Sequence, residues 1–158
     1  MAHKMKLWED CTLKEKIERW ENAIRVLKNL SPHEKRKHWD MSFWAKKTDC
    51  GTVACAASHC AMDRWFTRRG LVLEFREEEY RDVETGELVM EEFATVDYDD
   101  FFGYDGSDAI FCNTDPRPVS KVIREIENYV RFLKLTKDDM EPFNADKVYR
   151  LSRAKCSK

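Results

Sequence analysis

The sequence predicts an α+β fold: a mainly helical single domain with an inserted β-hairpin. Three observations carry that prediction. Leu13, Ile17, Trp20, Ile24 and Leu27 recur at spacings of four and three, the signature of one apolar helix face. Val119, Val122, Ile123, Ile126, Tyr129, Val130 and Leu133 form a second such stripe near the C-terminal end. Between them, Gly70-Leu71-Val72-Leu73-Glu74-Phe75 has strand character and Glu84-Thr85-Gly86-Glu87 supplies a turn.

Taken in order, the first helix is expected over about residues 13–29. Thr12-Leu13-Lys14-Glu15 fits a capping box, in which hydroxyl and carboxylate satisfy free amides at the helix start. Ser31-Pro32-His33-Glu34 repeats the signal with Pro at the first helical position, and a short turn of helix follows. A third helix is expected from about Thr52 to Thr67, rich in Ala54, Ala56, Ala57, Ser58 and Ala61, with Gly70 as its stop. In the hairpin, Leu88-Val89-Met90 pairs either with the strand beginning at Gly70 or with Tyr80 to Val83. Tyr98 to Asp108, punctuated by Gly103 and Gly106, reads as short helical turns joined by a loop. Pro116 and Pro118 announce the last long helix. A short helix from Asn144 carrying Val148 and Leu151 completes the expectation.

A chain of 158 residues suits one domain, residues 1–158, with its core over about 12–135. The acidic hairpin and loop occupy 71–108, and a basic C-terminal tail occupies about 152–158. No window approaches the apolar length of a membrane span, and Met1 to Lys6 lacks a following apolar run. The expected location is therefore cytoplasmic, with no membrane partner. There the six cysteines stay reduced, and their even number argues little for disulfides.

The formal net charge of −2 hides an asymmetry. Glu74 to Asp108 holds fourteen Asp or Glu against two Arg, a local balance of −12, leaving +10 elsewhere. Such asymmetry bears on partners more than on fold. Asp97, Tyr98, Asp99, Asp100, Phe101, Phe102, Tyr104 and Asp105 bring carboxylates and aromatic rings together, the chemistry of a face that meets a basic protein. A calcium loop does not fit this run. Counted from Asp97, Phe101 falls at the fifth position, Phe102 at the glycine position and Asp108 at the twelfth. Direct nucleic-acid binding through Arg117, Lys121, Arg124, Arg150, Arg153 and Lys155 is the weaker alternative, because the sequence pI is about 6.1.

Asp49-Cys50-Gly51-Thr52-Val53-Ala54-Cys55-Ala56-Ala57-Ser58-His59 carries the other chemistry. A Cys just before a helix meets free amides that favour the thiolate, and a nearby imidazole can take its proton. This makes Cys50 a candidate nucleophile, with His59 or His38 as base and Asp40 or Asp49 to orient the ring. Cys50, Cys55, His59 and Cys60 are also soft enough ligands for zinc, although Cys60 points about 100° away from His59 on an ideal helix, Cys112 could join only through the fold, and paired knuckles are absent. Against both stands core packing: a buried Cys behaves as a small hydrophobe, and Gly51 permits a close approach of backbones. No cofactor is expected on that reading.

Trp39-Asp40-Met41-Ser42-Phe43-Trp44 followed by Cys50-Gly51-Thr52-x-x-Cys55-x-x-x-His59 resembles an uncharacterised family of small bacterial and phage proteins. That family shows Phe/Trp-Asp-Met, then Trp, then Cys-Gly-Thr-x-x-Cys. The likeness continues through Phe101-Phe102-Gly103 and Ala109-Ile110-Phe111 into the helix after Pro118, covering roughly residues 39–133. Ser58 departs from the family's Gly, Cys60 from its Ala, and Trp often stands at the His59 position. The resemblance implies a phage or mobile-element setting and a packing role for the motif. The expected function is a protein-protein interaction module, an inhibitor or regulator of a host system acting on a basic host protein such as a nucleic-acid-binding enzyme. A cysteine-dependent enzyme is the alternative.

Overall fold

The computed structural model describes residues 4–41, 45–48, 51–111 and 116–135. Helix α1 (Leu13–Asn29) begins at the expected capping box. The Glu15 amide donates to Thr12 Oγ1 at 3.3 Å while the Glu15 carboxylate accepts from the Thr12 amide at 2.7 Å. Helix α2 (Pro32–Lys37) starts the same way, with Ser31 and Glu34 reciprocally bonded. Helix α7 (Val119–Leu135) turns Val122, Ile126, Tyr129 and Val130 inward.

Trp20 of α1 sits at the centre of the core. It is fully buried, with ring centroids of Phe102, Tyr129 and Phe111 at 4.6, 5.0 and 5.3 Å. Those rings come from helices α5 (Tyr98–Phe102), α6 (Tyr104–Phe111) and α7, so one indole joins four elements. Two glycines permit close approaches beside this cluster. Gly103 has φ +85°, and a Cβ there would stand 2.5 Å from the Trp8 ring; one at Gly106 would stand 2.6 Å from Tyr129.

The predicted helix over Thr52 to Thr67 is corrected. Strand β2 (Gly51–Ala54) pairs antiparallel with β1 (Ala45–Thr48), Ala54 opposite Ala45 and Gly51 opposite Thr48. Helix α3 (Ala56–Met62) begins only after Cys55, and Asp63 then caps a separate α4 (Arg64–Thr67) by accepting from the Trp65 amide at 2.9 Å. Gly51 at φ +117° cannot start a helix, and Thr52 and Val53 are β-branched, so the paired strand prevails over the alanine-rich run behind it.

The inserted hairpin is present and longer than its apolar runs suggest. Strand β3 (Leu73–Arg81) pairs antiparallel with β4 (Leu88–Val96), from Leu73 opposite Val96 to Arg81 opposite Leu88. Leu88-Val89-Met90 thus meets Glu79 to Arg81 rather than the Gly70 end. Among the described residues no helix is long and apolar enough to cross a membrane. The expected helix from Asn144 and the basic tail lie outside the described residues.

Candidate interaction surface

Residues directly opposite in a two-stranded ladder share a face. One face of the hairpin therefore carries Leu73 with Val96, Phe75 with Ala94, Glu77 with Glu92, Glu79 with Met90 and Arg81 with Leu88. Near the base this face enters the core, since Val96 and Ala94 are buried. Lys47 of β1 clamps the next step: its Nζ lies 4.2 Å from the Phe75 ring centroid and 2.7 Å from a Glu92 oxygen. Beyond Glu77 no buried residue remains, and both strands run on in solvent.

This distal half is an arm. Between Glu77 and Glu91 it holds seven carboxylates and one Arg. Glu77 faces Glu92 on one side and Glu78 faces Glu91 on the other, like-charge pairs that weaken the ladder they sit on. Apolar side chains lie bare among these charges: Val83 is 98% exposed, Leu88 and Met90 each 60%, and Tyr80 is exposed as well.

The turn is nonetheless well ordered. The Asp82 carboxylate accepts from the amides of Glu84 and Thr85 at 2.9 and 2.6 Å, which holds its pKa below the usual value. Gly86 at φ +72° returns the chain, and Arg81 donates to its carbonyl at 2.6 Å. The nearby Glu91 carboxylate pushes the Tyr80 phenol's pKa up. The arm is thus preorganised by local bonds rather than by a core.

The acidic and aromatic residues singled out in the sequence separate in space. Asp97, Asp100, Tyr104 and Asp105 are exposed, Tyr104 to 67%. Asp99 and Tyr98 are half-buried; Asp99 accepts a short bond from the buried Ser107 hydroxyl, and Tyr98 meets Phe111 edge-on at 6.1 Å. Phe101 and Phe102 are corrected: both are fully buried and cannot anchor a partner. The Arg19 guanidinium lies 4.0 Å from the Phe101 ring centroid and donates to the Phe101 carbonyl, while Phe102 packs on Trp20. The exposed apolar anchors are Tyr80, Val83, Leu88 and Met90. Leu88 and Met90 face Arg81 and Glu79 across the ladder, so neither meets an apolar partner there.

Arg117 is likewise withdrawn from any nucleic-acid surface. It is 4% exposed, paired with Glu125, and donates to the Ile110 carbonyl at 2.6 Å. Lys121 and Arg124 are exposed on α7, and Arg150, Arg153 and Lys155 lie outside the described residues.

Cys50, Asp49 and Cys112 also lie outside the described residues. Cys55 stands at the start of α3 but is buried, which pushes its pKa up, and its thiol lies 3.6 Å from Ser58 Oγ. Cys60 is fully buried, and its pKa is raised well above the usual value by the same desolvation. His59 stacks on Trp39 at 5.7 Å and donates from Nε2 to the His38 carbonyl at 2.9 Å. His38 places Nδ1 3.2 Å from the Thr52 carbonyl oxygen. Met41 completes the packing, its sulfur accepting from the Ala56 amide at 3.4 Å at the head of α3. Both imidazoles are thus engaged with backbone carbonyls, and Cys55 with Ser58. Among the described residues no three His, Cys, Asp or Glu side chains converge as metal ligands.

Burial depresses the pKa of His59 below its ordinary 6.5. The unfolded chain therefore takes up a proton from about pH 6.5 downward that the folded chain resists, so this contribution to stability is full above 6.5 and declines below it. Urea midpoints measured between pH 7.5 and 5 are expected to fall with acidification. In His59→Gln, compared over the same range, the slope is expected to flatten. An unchanged slope would show that His59 is not the titrating group.

The chain matches no protein-family model, no curated protein and no solved structure.

Proposed function

We propose that this chain is a protein-protein interaction module whose acidic hairpin arm engages a basic partner, in the manner of a phage or mobile-element inhibitor or regulator of a host system. The observation that supports this reading is the arm itself: an ordered hairpin extending past the core, with seven carboxylates and four exposed apolar side chains in its distal half. Charge accelerates encounter with a basic surface and selects against acidic ones, while Tyr80, Val83, Leu88 and Met90 supply area that can be desolvated on contact. Asp97, Asp100, Tyr104 and Asp105 follow directly from the end of β4 and extend the same chemistry along the chain. A nucleic-acid-binding enzyme of the host presents the complementary basic groove.

The test is affinity capture from a bacterial host lysate at low and high salt, followed by purification of the captured protein. The fourfold variant Glu77→Gln, Glu78→Gln, Glu79→Gln, Glu87→Gln is then compared with the parent chain. The expected partner is basic and is released at high salt. The variant is expected to bind at least about tenfold more weakly, chiefly through slower association. Its folding stability is expected to hold or rise, because like charges leave the ladder. Binding that resists both salt and the variant would discard this reading.

A further inference from the structure

A second polar feature lies away from the arm, where the segment before α1 meets α4. Lys4, Lys6, Arg19, Arg68, Arg69 and Trp65 line a pocket of about 300 Å³, with Glu15 and Glu18 as its carboxylates. Two of the cations are neutralised: Lys6 Nζ lies 2.8 Å from Glu15, and Arg69 lies 3.9 Å from Glu18. The other three are not. Arg19 is 5% exposed and donates only to the carbonyls of Phe101 and Lys6, with no carboxylate in ion-pair range among the described residues. Lys4 and Arg68 are exposed and pair with no described carboxylate.

Burial of the Arg19 guanidinium pulls its pKa down; Arg69 adds a smaller push in the same direction, and the nearby Glu15 opposes it. An anion in the pocket compensates the desolvated charge of Arg19, and guanidinium forks match phosphate oxygens two at a time. Trp65, already covered by the Arg69 guanidinium at 3.7 Å, adds a rigid apolar wall. The volume is at the lower end of small-molecule sites.

We propose that this pocket binds the phosphate group of a small phosphorylated molecule, with Lys4, Arg68 and Arg69 contacting the oxygens and Arg19 supplying charge from below. The site is independent of the arm and stands whether or not the arm binds a protein.

The probes are inorganic phosphate and pyrophosphate, titrated into isotopically labelled full-length protein and followed through the Trp65 indole and arginine side-chain resonances, with sulfate at matched ionic strength as control. Saturable shifts confined to this pocket are expected, with a dissociation constant on the order of 1 mM or tighter for pyrophosphate. The exposed double variant Lys4→Gln, Arg68→Gln is expected to bind roughly tenfold or more weakly. Glu18→Gln, which frees Arg69, is expected to tighten binding. Non-saturating shifts shared by sulfate and by the double variant would mean an adventitious ion only, and would overturn the proposal. So would pocket shifts that track protein concentration and sedimentation of a dimer, since the acidic arm of a second copy would then be the occupant.

Discussion

Replacing Trp20 by Ala is expected to lower the unfolding free energy by about 3–5 kcal/mol. For a chain of this size that corresponds to a fall of roughly 10 °C or more in Tm. The magnitude follows from position. The indole is fully buried and touches rings carried by α5, α6 and α7, so its loss opens a cavity that no single element can close. Trp20→Phe offers a sharper comparison. Among the described residues the buried Trp20 Nε1 atom has no hydrogen-bond partner, and desolvating such a group costs about 1–3 kcal/mol. Phenylalanine removes that cost while keeping much of the ring contact, so it is expected to retain most of the stability that Ala loses. Urea unfolding followed by circular dichroism checks both. A loss below about 1 kcal/mol in Trp20→Ala would show that the cluster repacks and that Trp20 is not its centre.

The elements read correctly from the sequence are those whose signals are local. The caps at Thr12 and Ser31, the stripes of α1 and α7 and the turn at Gly86 each depend on residues within a few positions of one another. The helix expected from Thr52 failed for the opposite reason. Its first three residues, Thr52 to Ala54, form a strand because Ala45 to Thr48 lie alongside, and its middle divides because the Asp63 carboxylate caps a new turn. Alanine content reports what a segment does alone, and here the neighbouring strand outweighs it.

The candidate surface was legible as charge but not as shape. Counting carboxylates locates the acidic block, yet the same count places Phe101 and Phe102 beside Tyr104 as if all three were exposed. Their burial depends on Arg19, 82 positions away from Phe101, and on Trp20. The hairpin is legible, but its reach past the core is not, because a short apolar run reads as a strand seeking a core. Beyond Glu77 there is no core for it to find. Strand length was set by the ladder and the ordered turn instead, and that is why Leu88 and Met90 remain bare.

This view of the arm leads to the other large expected effect. Joining Glu78 to Glu91 through a two-residue Asn-Gly turn, in place of residues 79–90, keeps the register, because those two glutamates already face each other and such turns close antiparallel pairs. The excised residues contribute no buried side chain, so folding stability is expected to change by no more than about 1 kcal/mol. Partner binding is expected to disappear, because the four apolar anchors and most of the distal carboxylates leave together. Calorimetric unfolding and direct binding to the purified partner separate the outcomes. A shortened chain that folds yet binds at full strength would move the interface to Asp97, Asp100, Tyr104 and Asp105. A shortened chain that fails to fold would make the arm a structural strut. Loss of binding on an intact fold is the result that a projecting, preorganised and acidic hairpin requires.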